Sequence, residues 1–429
     1  MVRTYSIPCG KRLIPIRVPD HVPVQWVESR RLESIPDVKR AIEDALHRPI
    51  ASKRLRDLVK PGQTVALVVT DITRKLPEEI IVPILLKELE AGGIPKKDIT
   101  AVVATGTHRS DTPQELREKF GDVVNEIPFV NHDPWKSEEL VRLGTTPGGI
   151  PLVFNRRVVE ADIRISTGVI ETHLFAGYSG GVKSIAVGVA GEETIGATHN
   201  YEVMKKTRLG MIEGNQFRQF LTEATRAIGL HFIVNVVQKG NKEVVNVVAG
   251  DPVEAFREGV KTARELYEVG IEGPGDIVVS GVSYPKSRDL YQSTRAANVV
   301  VFGPKPVVVE GGVILIPAAC EDGCGHPGYC DIMKRSKDVD DVIAISREEG
   351  FAPGEQKALI LAWILKHARI VMTDCGLPEE TLRELYLESM PSLQEALDAE
   401  LRKNPKATVV MIPDGLLTLP TIRSSGSGG

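Results

Sequence analysis

Short runs of apolar residues, rich in valine, alternate with stretches of helical periodicity along the chain. Residues 65–70 and 100–104 are two such runs, and residues 78–91 between them have the spacing of a helix that ends at Gly92 and Gly93. Continuous apolar strands that alternate with helices are typical of a parallel sheet covered on both faces. The pattern therefore predicts a strand, a helix and a second strand of an α/β fold.

A similar pattern continues in the second half of the chain. It predicts a β-hairpin formed by residues 231–237 and 244–249, followed by a helix from about residue 252 to 268. Glycine and proline interrupt the pattern at residues 270–275, which indicates a domain boundary. Beyond this point four buried strands are predicted, at residues 276–280, 312–316, 370–373 and 407–412.

We therefore expect an α/β protein of two domains, each with a mainly parallel sheet flanked by helices. The expected domains are residues 1–270 and residues 271–423. Residues 424–429 contain only serine and glycine, and we expect them to be a linker left by cloning that carries no function.

Composition narrows the possible functions. The chain has 53 Lys and Arg against 57 Asp and Glu, a formal net charge of −4, so no basic field favours nucleic acid or an anionic membrane surface as a partner. No apolar run is long enough to span a bilayer, and the N-terminus lacks the apolar core of a signal peptide. The five cysteines are an odd number, which favours free thiols in a reducing compartment. We expect a cytoplasmic protein.

Polar side chains follow the two predicted strands of the first domain. Asp71 and Arg74 come directly after the first strand, and His108 and Arg109 follow the second. In open α/β sheets, ligands bind beyond the carboxyl ends of the strands. We therefore expect both polar segments to lie on one rim of the sheet, where a ligand would bind.

The segment 172–184, Thr-His-Leu-Phe-Ala-Gly-Tyr-Ser-Gly-Gly-Val-Lys-Ser, combines a histidine, a lysine and small residues, and His199 follows it. Residues 177–184 nearly match the phosphate-binding loop of nucleotide hydrolases, which makes such an enzyme an alternative. Val182 stands where that pattern requires glycine, however, and no clear apolar strand precedes the segment. The match to a phosphate loop is therefore incomplete.

A protein metal site is a further alternative. The ligand spacings typical of zinc enzymes are absent, although His108, His173 and His199 could still converge in space. A cysteine-rich loop contains Cys320, Cys324, His326 and Cys330, but its spacing matches neither zinc nor iron–sulfur patterns. For this loop we favour a structural role.

Taken together, the polar motifs occur in a characteristic order. Asp-Ile-Thr-Arg at 71–74, Gly-Thr-His-Arg at 106–109, the segment 172–184, His199 and the pair Tyr291-Gln292 resemble the nickel-pincer lactate racemase family over nearly the whole chain. Each motif is short, but five in register make the resemblance specific. It implies a racemase or epimerase of a 2-hydroxy acid, with the cofactor and the catalytic residues in domain 1–270 and the active site in the interdomain cleft.

The resemblance also implies a cofactor, the nickel-pincer nucleotide, a pyridinium mononucleotide supplied by dedicated biosynthesis proteins. By this resemblance Lys183 would hold it covalently through a thioamide, and His199 would be the protein ligand to nickel. The cofactor would lie along three glycines and a serine of the same segment: Gly177, Gly180, Gly181 and Ser184.

The α-proton of a hydroxy acid is very weakly acidic, so oxidation to a keto acid and re-reduction avoid a difficult carbanion. The cofactor would take the hydride, while two bases, His108 and His173 by the resemblance, would serve the two enantiomers. Arg74 would clamp the substrate carboxylate and Asp71 would orient a neighbouring group. Two residues of the second domain would reach the substrate oxygens: Tyr291 and Gln292.

Two positions bear on the substrate. Arg295 stands where lactate racemase itself has Lys, and Phe175 adds a bulky apolar wall next to His173. We therefore expect a 2-hydroxy acid other than lactate, with a second carboxylate for Arg295. A non-catalytic protein that binds a small anion is the remaining alternative, but it would not need the histidines and Lys183.

Overall fold

The computed structural model describes residues 1–240, 242–352 and 354–423. The linker predicted at residues 424–429 lies outside the described residues. The chain divides into two compact units. The central unit consists of residues 31–207 and 211–266, and the terminal unit of residues 1–30, 208–210 and 267 onwards. No helix in the described part of the chain combines the length and the apolar character needed to cross a bilayer.

The central unit is built on a six-stranded sheet in which only the edge pair is antiparallel. Across the sheet the strands are Val244–Gly250, Phe232–Gln238, Ile163–Val169, Val65–Thr70, Ile99–Ala104 and Phe129–Asn131. Val65–Thr70 lies in the middle and all six of its residues are buried, which explains its unbroken apolar sequence. The predicted strands, the predicted hairpin and the helix Glu78–Ala91 are confirmed.

The helices of the central unit pack around this sheet and its loops. They are Val38–His47, Leu55–Leu58, Glu78–Ala91, Pro113–Phe120, Arg156–Glu160, Lys183–Ala186, Glu192–Thr198, Tyr201–Lys205, Gln216–Ile228 and Glu254–Tyr267. Two small antiparallel pairs complete the unit: Leu140–Thr145 with Pro151–Asn155, and Thr172–His173 with Gly177–Tyr178. Apolar side chains of the strands and of helix Glu78–Ala91 form one continuous core.

Strand Ile163–Val169 was not predicted, and the view that no strand leads into segment 172–184 is wrong. Its sequence hides it because Arg164, Ser166 and Thr167 interrupt the apolar run. The structure satisfies these polar groups inside the fold. The Arg164 guanidinium donates to two backbone carbonyls at 2.8 and 2.7 Å, and the Thr167 hydroxyl bonds to the buried Glu78 carboxylate. Buried polar side chains with partners are compatible with a central strand.

The terminal unit has a six-stranded, wholly parallel sheet. Its strands are, in order, Glu388–Met390, Arg369–Thr373, Val308–Pro317, Gly275–Ser280, Val409–Ile412 and Val24–Trp26, which include the four predicted ones. Its helices are Leu290–Ser293, Asn298–Val301, Pro327–Arg335, Val339–Glu348, Gln356–His367, Glu379–Glu384 and Leu393–Lys403. The short strands Glu268–Ile271 and Leu419–Ile422 pair in parallel.

The N-terminal thirty residues pack in the terminal unit. The sequence had led us to expect a single division at residue 270, with these residues in the first domain. Val2–Gly10 and Arg12–Pro19 form an antiparallel pair that continues onto Val282–Ser283, and Val24–Trp26 adds to the edge of the parallel sheet. The pairing with Val282–Ser283 and the pairing of Val24–Trp26 with the parallel sheet join residues more than 270 positions apart. Local sequence patterns carry no information about such partners.

Two of the five cysteines lie next to each other in the folded chain, and for them the expectation of free thiols stays a prediction. Cys324 and Cys330 are these neighbours, whereas Cys9, Cys320 and Cys375 are free. The chain turns sharply through two glycines with positive φ, at 323 and 325, so that the two Cα atoms lie 6.7 Å apart. An odd cysteine count does not exclude one local pair.

Candidate active site in the central unit

Three neighbouring parallel strands end at the same edge of the central sheet. Val65–Thr70 lies between Ile163–Val169 and Ile99–Ala104, so the polar residues that follow all three strands meet there. Sequence reasoning expected two of these segments on one rim, and the structure adds the third, which begins at Glu171. We call this edge the rim.

Asp71 and His108 form the best-defined pair on the rim. The Nδ1 atom of His108 lies 2.6 Å from Asp71 Oδ2, while Oδ1 of the same carboxylate accepts from the Thr73 hydroxyl at 2.6 Å. Burial by itself would raise the pKa of Asp71, but the hydrogen bonds from His108 and Thr73 outweigh it and lower the pKa. The carboxylate therefore stays ionised and accepts a hydrogen bond from Nδ1–H of His108, and in the neutral ring this leaves Nε2 of the half-exposed side chain as an acceptor.

Arg74 lies at the start of the same loop and forms an ion pair with Glu171, with 2.9 Å between Nη1 and Oε1. Its backbone carbonyl accepts a hydrogen bond from Lys119 at 2.5 Å, and Lys119 in turn contacts the buried Glu78 at 3.0 Å. Glu171 was not singled out from the sequence. Its position two residues beyond the strand Ile163–Val169 was the available signal, and this signal was missed because the strand was not recognised.

The glycines of segment 172–184 shape its backbone and allow it to pack closely against the rest of the unit. Gly177, Gly180 and Gly181 all have positive φ, which favours glycine. A Cβ on Gly177 would collide with the backbone of Met211, and one on Gly181 would lie 2.7 Å from the Phe256 ring. Protein atoms fill the space beside these α-carbons, so packing accounts for the glycines, and contact of their backbone with a cofactor stays a prediction.

Lys183 begins a four-residue helix at the end of this segment and is partly buried. Loss of solvent lowers the pKa of its amine to about 7, and the positive charge of Arg74 contributes in the same direction. A substantial fraction of Lys183 is then a neutral amine near neutral pH. The neutral amine is the nucleophilic form.

His173 lies within reach of the Lys183 charge. Burial, followed by the charges of Lys183 and Arg74, lowers its pKa well below the usual value, so the ring is neutral. Two backbone N–H groups, of Phe175 and Ala176, donate to Nδ1 at 3.3 and 3.2 Å. The proton of the neutral ring therefore resides on Nε2. Nε2 of His173 is thus a hydrogen-bond donor, whereas Nε2 of His108 is an acceptor.

His199 is the third imidazole of the cluster, and its Nδ1 lies 3.0 Å from the carbonyl oxygen of Ile195. Burial, with the Lys183 charge second, lowers its pKa to about 4. The ring is therefore neutral with its proton on Nδ1, which leaves the Nε2 lone pair as a ligand atom. Phe175 packs between the two rings, with centroids 6.1 Å from His173 and 5.6 Å from His199.

Sequence reasoning missed Arg218, a buried arginine near the same cluster. Its guanidinium donates to the Ala176 carbonyl at 3.1 Å and lies 4.2 Å from the centre of the Phe256 ring, and its charge helps to lower the pKa values of His173 and Lys183. The buried Nη1 atom has no hydrogen-bond partner in the described structure. Its signal in the sequence was an arginine on the apolar face of helix Gln216–Ile228.

The remaining members of the segment are tied to the protein itself. The Ser184 hydroxyl donates to the Thr167 carbonyl at 3.1 Å. Across the three described stretches of chain, His, Cys, Asp and Glu side chains nowhere gather in a group of three that could hold a metal ion. A metal held by protein ligands alone, in the histidine cluster or in the cysteine loop, is therefore not supported.

Tyr291, Gln292 and Arg295 belong to the terminal unit and are described there. Helix Leu290–Ser293 begins at Asp289, whose carboxylate accepts from the Gln292 backbone at 2.8 Å. The Arg295 guanidinium donates to the Gln292 side-chain oxygen, also at 2.8 Å. The Tyr291 ring lies 5.8 Å from the rings of both His326 and Tyr329.

Comparisons with known proteins match almost the whole chain. Residues 9–211 match the family described as lactate racemase N-terminal domain, and residues 271–419 match the lactate racemase C-terminal domain. The lactate racemase of Thermoanaerobacterium thermosaccharolyticum is 35% identical over 426 residues, 96% of this chain and 97% of that protein. That of Lactiplantibacillus plantarum is 32% identical over 386 residues, 88% of this chain and 90% of that protein.

Solved structures agree with these sequence matches. The lactate racemase apoprotein from T. thermosaccharolyticum superposes with a TM-score of 0.89 at 33% identity, covering 98% of this chain and all of that one. A Thermotoga maritima protein has a TM-score of 0.67 at 21% identity over 92% of this chain and all of that one, a likeness of fold alone.

Proposed function

The chain belongs to the lactate racemase family and is an isomerase that acts on 2-hydroxy acids, and we propose that it inverts them by hydride transfer at the Lys183 site. The observation that carries the mechanism is the amine of Lys183, whose pKa lies near 7 and whose charge reaches both His173 and His199. The Lys183 amine and the imidazoles of His173 and His199 form a cluster whose pKa values are all lowered, and such clusters are typical of functional sites.

The residues present fit a nickel-pincer nucleotide. Lys183 offers a neutral amine for a thioamide, and His199 offers a single oriented nitrogen to a metal whose other ligands come from the cofactor. The unpartnered Nη1 of the buried Arg218 is a donor suited to an anionic group. When bound, the cofactor supplies the acceptor and donor of the substrate hydride. The proteins that synthesise it are the proposed partners.

Proton transfer is assigned to the two remaining imidazoles. Nε2 of His108 removes the hydroxyl proton, and Asp71 stabilises the imidazolium through the 2.6 Å hydrogen bond. His173, as the imidazolium, gives its Nε2 proton to the oxygen of the keto acid and becomes a neutral ring with its remaining proton on Nδ1, which then gives up the hydrogen bonds from the backbone N–H groups of Phe175 and Ala176. In the opposite direction His173 must accept a proton, and loss of the Lys183 charge on thioamide formation favours this, because that charge lowers the pKa of His173.

Substrate binding is assigned to the rim arginine. Arg74 already holds a carboxylate, that of Glu171, at 2.9 Å, so its geometry suits a carboxylate ligand. A substrate carboxylate would compete with Glu171 or share the guanidinium with it. Phe175 would limit the space beside His173, and Tyr291, Gln292 and Arg295 remain proposed substrate contacts.

The test is to follow the α-hydrogen in deuterated water. Protein co-expressed with the cofactor pathway would be given D-lactate, D-malate and a longer aliphatic hydroxy acid, and products would be separated on a chiral column. Hydride transfer predicts inversion with the α-hydrogen retained and loss of activity in His108→Gln, while the exposed His21→Gln variant keeps activity. Deuterium at C2 of the product would instead require abstraction of the α-proton and exclude the mechanism.

A further inference from the structure

The terminal unit contains a lysine that no role described above explains. Lys357 lies in the first turn of the twelve-residue helix Gln356–His367, and only 2% of its surface is exposed. Its Nζ has no hydrogen-bond partner among residues 1–240, 242–352 and 354–423. Buried lysines are rare unless they are paired, because an ammonium group loses its hydration there.

The surroundings of Lys357 make its burial more unfavourable. The charges that reach its amine are the guanidinium of Arg295, which lowers the pKa of Lys357, and the carboxylate of Asp289, which opposes that effect. Asp289 is already engaged with the backbone of Gln292 at 2.8 Å. The N-terminal turn of a helix is also its positive end, where a cation is disfavoured. The charge of Arg295 and the positive end of the helix thus both disfavour the Lys357 ammonium, and the Asp289 carboxylate opposes them only in part.

We propose that Lys357 and Arg295 together form a binding site for a carboxylate. A guanidinium such as that of Arg295 can bind a carboxylate with two hydrogen bonds, and the Lys357 amine, which the charge of Arg295 reaches, adds a point charge. Arg295 is exposed, so a ligand can reach the site from solvent at this side chain. An anion bound here gives the Lys357 ammonium the partner that the protein does not provide.

The carboxylate could come from two sources. The first source is the second carboxylate of the substrate, and in that case the inference rests on the proposed function and identifies the substrate as a 2-hydroxy dicarboxylic acid. The second source is a separate organic acid. Both sources require the same pair of cations. Binding to the unmodified chain therefore tests the site whether or not the racemase mechanism is correct.

The experiment is calorimetric titration of the full, cofactor-free chain with succinate, D-malate and acetate at pH 7.5 in two buffers of different ionisation enthalpy. We expect saturable binding that takes up protons from the buffer, because an anion favours the charged form of Lys357. Lys357→Met and Arg295→Gln should each weaken binding at least tenfold. Lys366→Met is the matched control, since Lys366 is exposed on the same helix and pairs with Asp340.

Equal affinity in the wild type and in Lys357→Met, or no binding of any of the three acids at tens of millimolar, would overturn the proposal. Binding of inorganic phosphate without any carboxylate would overturn the assignment to carboxylates. Methionine has similar length without the charge, so Lys357→Met should melt at the same or a higher temperature. That melting curve identifies a variant that loses binding only because it has unfolded.

Turnover by the loaded enzyme distinguishes the two sources. If the site takes the substrate's second carboxylate, Lys357→Met should lose at least tenfold in kcat/KM for D-malate and keep its value for D-lactate. If a separate acid binds, Lys357→Met should change both substrates equally, and succinate should alter wild-type rates without competing with substrate. Either pattern supports the site, and rates that are unchanged in every assay contradict it.

Discussion

The amine of Lys183 should react with an electrophile at neutral pH. The structure lowers its pKa from the ordinary 10.5 to about 7, mainly by removing solvent. At pH 7 an amine with a pKa of 10.5 is neutral in about one molecule in 3,000, whereas one with a pKa of about 7 is neutral in about half. The reactive fraction of Lys183 is therefore larger by a factor of roughly 1,000 to 2,000. A lower basicity and partial burial reduce this advantage without removing it.

The assay is brief acetylation of the cofactor-free protein between pH 5 and 11, with each lysine quantified by peptide mass spectrometry. The rate for Lys183 should rise with pH to a plateau with its midpoint near pH 7. Lys136 is the internal reference, because its hydrogen bond to Glu139 raises its pKa and places its midpoint above 10.5. Arg74→Gln removes a cation that lowers the pKa of Lys183, so the midpoint should move to higher pH.

The reasoning is refuted if the rate for Lys183 rises only above pH 10, in parallel with Lys136. The amine would then be an ordinary solvated ammonium at neutral pH. If the Lys183 midpoint is near 7 in the wild type and does not move in Arg74→Gln, only the contribution of the Arg74 charge is contradicted. Desolvation would then account for the whole effect.

Three further variants test the rim and its support. Asp71→Asn removes the charged acceptor of the hydrogen bond from His108. Such a bond is worth about 1.5–3 kcal/mol when buried and toward the lower end of that range here, so the loaded enzyme should lose roughly 10- to 30-fold in kcat. Arg109→Gln changes an exposed neighbour and should stay near wild type, and equal losses in both variants would contradict the pairing. Gly177→Ala introduces a backbone collision at positive φ and should destabilise the fold by about 1–3 kcal/mol in urea denaturation, and an unchanged midpoint would disprove the packing role. Glu78→Gln leaves the buried Lys119 ammonium without its carboxylate and should cost about 3–5 kcal/mol, so a loss below 1 kcal/mol would show that the pair is unimportant.

The sequence predicted those parts of the fold that have a strong local pattern. The fully buried strand Val65–Thr70 and the helix Glu78–Ala91 appear where their apolar residues indicate them, and the rim position of Asp71 and His108 follows from the ends of two strands. Strand Ile163–Val169 is absent from the prediction because polar side chains with partners inside the fold interrupt it. Its loss also hid Glu171.

Other features depend on contacts that no local pattern encodes. The N-terminal strands pair with segments more than 270 positions away, and the glycines of segment 172–184 are explained by Met211 and Phe256, which are distant in sequence. The hydrogen-bonding roles of His108 and His173 arise from a carboxylate in one case and from two backbone N–H groups in the other. The residue types suggested two similar bases, and only the folded chain distinguishes them.

The central claim is that Lys183 carries the cofactor, and the intact mass of the protein tests it most directly. The chain would be expressed with and without the cofactor-biosynthesis proteins, alongside Lys183→Ala under both conditions. We expect a mass increase only for the wild-type chain made with those proteins, located at Lys183 by peptide mapping. The same increase in Lys183→Ala, or no increase in a preparation that racemises its substrate, would contradict the account.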